Sequence, residues 1–390
     1  MAVYKIFPEK DATMYSLFPQ MNTGLDEIIE ISNLNFAVDS SPQVARYLIQ
    51  FDSSSIDNLI STKGSGSNWD IDLRCFIATA QGIIMDSEVY VYPVSGSWVM
   101  GTGKYLDQPL VTNGVSWEWQ TFAGSGSGSQ RWPNTSSLSP YTTASYTGNN
   151  RGGGAWYTGS DLPDLNLVGT QTFSYHSDKD LKINITDIAK AWYSASQNLN
   201  GAYTKIYNNG FIVKWEDLIE FNTNLNVQPV LQYYSMDTHT IYPPCLDFKW
   251  DDSIWNTGSS TLPVLETPQA YVSIMNNNGF FYSQSIQQFR VDCRPQFPPI
   301  VFQTSSIYTN NYYLPSGSSY WAIKDLDTNE YVINFDSNYT KISADASGSY
   351  FTVYMNGLQP ERYYTILLQT TIGGTTQIID SNYNFKVING

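Results

Sequence analysis

The sequence predicts an all-β protein in which a large N-terminal β-sandwich is followed by a smaller C-terminal one, on three observations. Apolar residues recur with a period of two along much of the chain, the alternation that puts one face of a strand in a core and the other in solvent. Aromatic residues make up 15% of the chain, led by 29 Tyr and 11 Trp, while charged residues are only 14%, against roughly 25% in ordinary soluble domains. Such usage suits pleated strands and large contact surfaces, whereas long helices want more Ala, Leu, Glu and Lys. Finally, 390 residues exceed what one core usually covers, and the polar, turn-rich run Asn256-Thr-Gly-Ser-Ser-Thr-Leu-Pro263 divides two series of strand-like segments. The expected division is 1–255, a linker at 256–263, and 264–390.

In the first series, Ala45, Tyr47, Ile49 and Phe51 share one face, as do Leu73, Cys75, Ile77 and Thr79, and Val89 to Tyr92 is apolar throughout. Gly201 to Ile206, Gly210 to Trp215 and Val227 to Tyr234 are strand-like as well, and the first domain is expected to close near Phe248 to Asp252. Helical spacing stands out once, where Ile185, Ile188 and Trp192 fall at i, i+3 and i+7 and Thr186 or Asp187 is placed to cap the start. Between roughly 121 and 160 the alternation stops. Gly124-Ser-Gly-Ser-Gly-Ser129, Arg131-Trp-Pro-Asn134 and Arg151-Gly-Gly-Gly-Ala-Trp-Tyr157 predict a long inserted surface loop, a feature that in compact domains tends to be functional or disordered. Trp132, Trp156 and Tyr157, with Arg131 and Arg151, are the side chains expected to order it against a partner, as protein-interface anchors or as glycan-stacking platforms.

The second series has seven members, roughly Ala270–Met275, Ser283–Asp292, Ser319–Lys324, Tyr331–Phe335, Tyr350–Met355, Tyr363–Thr370 and Asn382–Ile388. Seven short strands over this length match an immunoglobulin-like sandwich. Within the series, Leu358-Gln-Pro360-Glu-Arg-Tyr-Tyr364, followed by alternating Ile366 and Leu368, resembles the L-x-P-x-x-x-Y start of strand F in fibronectin type III domains. The resemblance implies that Tyr364 is the tyrosine of the corner, its hydroxyl bonded to backbone just upstream, with Leu358 and Pro360 in the same signature. Such sandwiches serve as spacers, adhesins and assembly modules alike, so the likeness speaks to fold.

The first domain resembles the DNRLRE-type module, a jelly-roll-like family related to carbohydrate-binding modules. Asp11-Ala-Thr13, Arg46-Tyr-Leu-Ile-Gln-Phe-Asp52, Asn184-Ile-Thr-Asp-Ile-Ala-Lys-Ala-Trp192 and Asn198-Leu-Asn-Gly201 leading to Gly210-Phe-Ile-Val-Lys214 carry the likeness, in order, over about 200 residues. Asp57-Asn58-Leu59 lacks the rest of the name motif, and the glycine-rich segment looks inserted. The resemblance implies a jelly-roll-like sandwich with Trp192 on its short helix. Together with Lys5-Ile-Phe-Pro-Glu-Lys-Asp-Ala-Thr-Met-Tyr15 and Leu25-Asp-Glu-Ile28, the combination looks like a virion structural protein of large tailed phages of the marine, contractile-tailed type.

Groups that carry chemistry are sparse. Of two histidines, neither His176 nor His239 lies in a nucleophile motif, and His176-Ser-Asp178 and Asp237-Thr-His239 put their ends on one face of a strand without completing a metal-ligand pattern. Gly101-Thr-Gly103-Lys104-Tyr105 fails as a phosphate loop, because Trp98 stands where that motif needs Gly and Tyr105 where it needs Ser or Thr. The carboxylate pairs Asp70/Asp72, Glu216/Asp217 and Asp251/Asp252 are of the type used in glycoside hydrolysis, but spacing alone brings no two of them across a cleft. Asp70-Ile-Asp72 also invites a structural calcium, although no EF-hand pattern accompanies it. Cys75, Cys245 and Cys293, an odd and widely spaced set, read as buried thiols.

These observations lead us to expect a protein that is not an enzyme, with no catalytic residues, cofactor or metal, acting through interfaces with other virion structural proteins and copies of itself. The tail, baseplate or neck is favoured over the head. The alternative is a glycan-binding or receptor-binding module, in a fibre or a head decoration. A net charge of −15 without Lys or Arg clusters argues against nucleic acid as partner, no apolar run reaches a membrane span, and the opening lacks a signal-peptide pattern, which points to folding in a host cytoplasm and residence in the virion.

Overall fold

A computed structural model describes residues 2–35, 42–64, 68–124, 127–133, 142–144, 152–158, 166–199, 206–220, 228–297 and 311–390. Strands take 45% of the chain and helices 9%, so the predicted all-β sandwich class is the observed one. In the first part of the chain the strands are β1 (Ala2–Ile6), β2 (Pro8–Tyr15), β3 (Ile28–Asn35), β4 (Pro42–Phe51), β5 (Trp69–Cys75), β6 (Ile77–Gln81), β7 (Ser87–Pro93), β8 (Trp119–Thr121), β9 (Gln130–Arg131), β10 (Thr142–Ala144), β11 (Ala155–Tyr157), β12 (Gly169–Phe173), β13 (Leu181–Asn184), β14 (Phe211–Trp215), β15 (Val230–Tyr234) and β16 (Cys245–Trp250). The remainder carries β17 (Ala270–Ile274), β18 (Phe280–Tyr282), β19 (Ile286–Pro295), β20 (Ser319–Asp325), β21 (Tyr331–Ile333), β22 (Ser343–Asp345), β23 (Gly348–Tyr354), β24 (Tyr363–Ile372) and β25 (Thr375–Ile388).

By contact the chain divides into two compact units, one of Ile6–Thr62 and Asp70–Asp247, the other of Met1–Lys5, Lys63–Trp69 and Phe248–Gly390. The division falls between Asp247 and Phe248, upstream of the stretch 256–263 expected as the linker. That stretch begins within the second unit. Asn256 N donates to Ala344 O at 3.0 Å, Ile254 O accepts from Ala344 N at 2.9 Å, and the Trp255 ring lies 5.7 Å from that of Tyr313. A polar, turn-rich composition marks irregular backbone, and irregular backbone beside a strand is as polar as a linker.

In the first unit the larger sheet has the order β12-β7-β14-β4-β3-β15-β6, with β2 also paired to β4. The β14–β4 register is antiparallel, Phe211↔Ile49 through Val213↔Tyr47, and β5 pairs antiparallel with β13. Tyr47, Ile49 and Phe51 of β4 and Phe211, Val213 and Trp215 of β14 are buried on one side of the large sheet. There Tyr47 Oη lies 3.5 Å from Cys75 Sγ of β5. Burying each of these side chains is worth about 1.5–3 kcal/mol. The alternation through Leu73, Cys75, Ile77 and Thr79 is two strands and not one, since β5 ends at Cys75 and β6 starts at Ile77 to pair with β15 of the large sheet. A period of two survives a step from one sheet to the other, which is why the pattern conceals it.

The expected single helix is present at Thr186–Ser196, with Ile188 and Trp192 buried and the Trp192 ring 4.8 Å from Phe211. Its N-cap is Ile185, whose side chain has no acceptor to offer; the two expected caps lie inside the helix, Thr186 with its Oγ1 accepting from Ile71 N and Asp187 in the first turn. Two further helices, Ser53–Leu59 and Asp217–Glu220, correct the one-helix expectation. The first has a legible start: Asp52 accepts from Ser54 N and Ser55 N, and those bonds together with the serine hydroxyls hold its carboxyl down at about 2. The segment 201–205, expected as strand, lies outside the described residues.

The second unit is a sandwich of two sheets, β17-β19-β23-β22 and β18-β25-β24-β20-β21, the sheet order of an immunoglobulin-type fold. Among the described residues nine strands stand where seven were expected, with Phe280–Tyr282 and Ser343–Asp345 too short for alternation to show. Val291, Trp321, Phe351, Ile366, Leu368 and Val387 fill the core. Leu358 is buried at its edge, Pro360 stands at the turn, and Tyr364 Oη donates to Gln359 O at 3.0 Å. That is the bond the corner signature requires. Replacing Tyr364 with Phe is expected to cost this unit about 1–2 kcal/mol, since the carbonyl loses a partner beside a fully packed ring; the midpoint of urea unfolding measures it.

Candidate functional site

The face of the large sheet opposite the sandwich core is also buried. On β4 the residues alternating with Tyr47 are Val44, Arg46 and Leu48, and on β14 they are Ile212 and Lys214. Described residues between Val94 and Tyr157 lie over them. Val94, Trp98, Val115, Trp117, Trp132, Ala155 and Trp156 form one cluster with Ala12, Met14, Val44, Leu48 and Ile212. Here the expected surface loop is corrected: its described parts form the two-stranded pairs β8–β9 and β10–β11 and a second core.

The residues expected as anchors are therefore placed inward. Trp132 is fully buried, its Nε1 donating to Ser116 O at 2.9 Å, and Trp156 and Tyr157 are 6% and 7% exposed. Among the described anchors only Arg131 faces solvent, ion-paired with Glu118 and with its guanidinium 4.1 Å from the Trp119 ring centre. Arg151 lies outside the described residues. Loop-like composition misled because glycine serves close approach here. Gly152 and Gly154 have φ of +132° and +99°, and a Cβ on them would stand 2.4 Å from Trp117 O and 2.6 Å from Ile212 Cδ1, so the run that reads as slack is backbone pressed against a core.

Beneath this cover lies a charged centre that sequence reasoning missed. Arg46 and Glu220 are both fully buried; Arg46 Nε donates to Glu220 Oε1 at 2.5 Å and Nη2 to Oε2 at 2.7 Å. The remaining Arg46 amino group donates to Gly153 O. The guanidinium sits 5.1 and 5.3 Å from the ring centres of Trp117 and Trp156. Lys214 Nζ, 1% exposed, reaches Glu220 Oε2 at 3.1 Å and Asp217 Oδ1 at 2.5 Å. Two buried cations thus share the buried carboxylate of Glu220, in the bidentate geometry that fits a desolvated pair, and Lys214 also reaches the exposed carboxylate of Asp217. The signal in the sequence was their company: Val44 and Leu48 beside Arg46, and Ile212 beside Lys214, are apolar on the strand face that alternation leaves for solvent.

The chemical groups singled out earlier are scattered. His176 is exposed, and His239, 90% exposed, lies 3.9 Å from Glu27. Asp72 pairs with Lys182, Asp217 with Lys214, and Asp251 with Lys341, so each carboxylate pair has a structural tie. Gly101 and Gly103 wrap the buried Asn22, whose Nδ2 donates to Met100 O and Val115 O and whose Oδ1 accepts from Gly103 N. Among the described residues no three His, Cys, Asp or Glu side chains are grouped to hold a metal, and no helix is long and apolar enough to cross a membrane.

The second unit carries the clearest outward aromatic surface. Cross-strand register puts Phe280 of β18 beside Lys386 of β25, and Lys386 beside Tyr363 of β24. Phe280, Tyr282 and Tyr363 are 50%, 53% and 51% exposed. Phe280 and Tyr282 meet edge to face at 6.2 Å, Lys386 Nζ lies 5.9 Å from the Tyr363 ring centre, and Lys386 also pairs with Glu361. No known protein family, curated protein or solved structure matches the chain.

Proposed function

We propose that this chain is a non-enzymatic structural component of a tailed-phage particle, in the tail, baseplate or neck, that works by binding other structural proteins of the particle. The outward row of Phe280, Lys386 and Tyr363, with Tyr282 beside it, carries the reading. Exposed aromatic side chains next to a cation that is already paired are of the kind that dominates protein interfaces. The likeness of the first domain and the charge-poor, Tyr-rich composition support the particle as setting. The glycan alternative drew on the likeness of the first domain and on the aromatic loop, and of the loop's side chains Trp132 and Trp156 are committed to a core.

The test is the double variant Phe280→Ser with Tyr363→Ser, expected to keep the wild-type melting temperature and to enter particles at least about tenfold less, as loss of two aromatic anchors implies. Mass spectrometry of purified particles measures it. Equal incorporation overturns the assignment of this face, and turnover of a polysaccharide or phosphoester by the purified chain, lost on changing one carboxylate pair, overturns the non-enzymatic reading.

A further inference from the structure

The two halves of β25 have different neighbours on the side away from β24. In the C-terminal half the backbone groups on that side are taken up: Asn384 O accepts from Asn277 Nδ2, Lys386 N donates to Gly279 O, and Ile388 O accepts from Ser283 N. In the N-terminal half, Thr371 N donates to Ser318 O, so the backbone of Thr371 faces β20 and that of its register partner Thr376 faces away from β24. Alternation gives Ile378 and Asp380 the same outward direction. Among the described residues, the amides and carbonyls of Thr376, Ile378 and Asp380 meet no backbone partner on that side.

This edge is open. Thr375, Thr376, Ile378 and Asp380 are exposed, Ile378 at 57%. Proteins blunt sheet edges with very short strands, lysine or proline. The strands β18, β21 and β22 are three residues each, whereas Thr375-Thr-Gln-Ile-Ile-Asp380 is longer, rich in β-branched residues, and holds neither Lys nor Pro. A register shift just beyond Asp380, with Asn382 at φ +53°, ends it.

We propose that a second copy of this chain adds to the edge, the two β25 strands pairing antiparallel about a two-fold axis at Ile378 and joining their five-stranded sheets. In that register Ile378 meets Ile378 of the second copy, and Asp380 meets the uncharged Thr376, so the edge is complementary to itself. Thr376, Ile378 and Asp380 then exchange both backbone bonds with their opposites. The hairpin leaves room for this. Lys386, where pairing with β18 begins, lies about 27 Å along the strand from Ile378, while the second copy turns back at Gly373-Gly374, about half that distance from the axis. Charge also favours this unit as the meeting place. It carries nine Lys and Arg against eleven Asp and Glu, whereas the other unit carries eleven against twenty-four, so two copies repel least here. The pairing leaves the row of Phe280, Lys386 and Tyr363 uncovered and does not depend on a particle.

Pairing along one edge is small beside a standard interface of about 1,600 Å², so the dimer is expected to be weak. Sedimentation equilibrium of the full chain tests it over about 10 μM to 1 mM, where the mass is expected to rise from monomer towards dimer. Ile378→Lys sets two like charges at the axis and is expected to weaken association at least about tenfold. Thr376→Lys, opposite Asp380 of the second copy, is expected to tighten it, and Thr376→Asp to weaken it. All three side chains replaced are at exposed positions, so each variant is expected to keep the wild-type melting temperature. A chain that stays monomeric throughout, the outcome if a different protein's strand fills this edge, overturns the proposal. So does a dimer indifferent to Ile378→Lys, or one on which the two Thr376 variants act alike.

Discussion

Replacing Glu220 with alanine is expected to destabilise the first unit by about 3–5 kcal/mol, because it leaves Arg46 and Lys214 as buried charges without their shared carboxylate. The geometry makes the loss hard to repair. Arg46 is held between Trp117 and Trp156, and Lys214 is 1% exposed, so neither cation turns out to water without opening the second core. Asp217 is the internal control. It also binds Lys214 but is 78% exposed, and Asp217→Ala is expected to cost at most about 1 kcal/mol. Urea unfolding followed by tryptophan fluorescence checks both; equal effects from the two variants would mean that burial does not set the strength of this centre.

Trp132→Ala is expected to cost about 3–5 kcal/mol in the same assay, the range for removing a large aromatic from a packed interior. Trp132 is fully buried and donates to Ser116 O, so the variant leaves both a cavity and an unpaired carbonyl. Arg131→Ala next to it removes an exposed ion pair with Glu118 and is expected to change stability by less than about 1 kcal/mol. If Trp132 were a surface anchor, the isolated chain would tolerate its loss and only binding to a partner would suffer. A large drop in unfolding midpoint with the chain alone separates the two roles.

The all-β class, the strand faces and the corner of the second unit were legible because they are local. A period of two places Tyr47, Ile49 and Phe51 on one side of β4 whatever lies across from them, and Tyr364 Oη donates to the carbonyl of Gln359, between Leu358 and Pro360 and only a few residues upstream. Likewise the helix at Thr186–Ser196 follows from its own apolar spacing, while the helix Ser53–Leu59 was available from Asp52 and its following serines.

Contacts between residues far apart in sequence were decided by the tertiary structure. Arg46 meets Gly153, Trp117 and Trp156 only because a segment without any periodicity folds over the second face of a sheet, and meets Glu220 because the short helix after β14 ends beside it. The sequence by itself determined which residues are strand-forming and which positions break the apolar pattern. It did not determine that both faces of β4 are buried, since an alternating strand has the same pattern whether its other face meets water or a paired charge under a cover. The reason is physical: a glycine run reads as conformational freedom, and only the atoms packed against Gly152 and Gly154 reveal that here it supplies room.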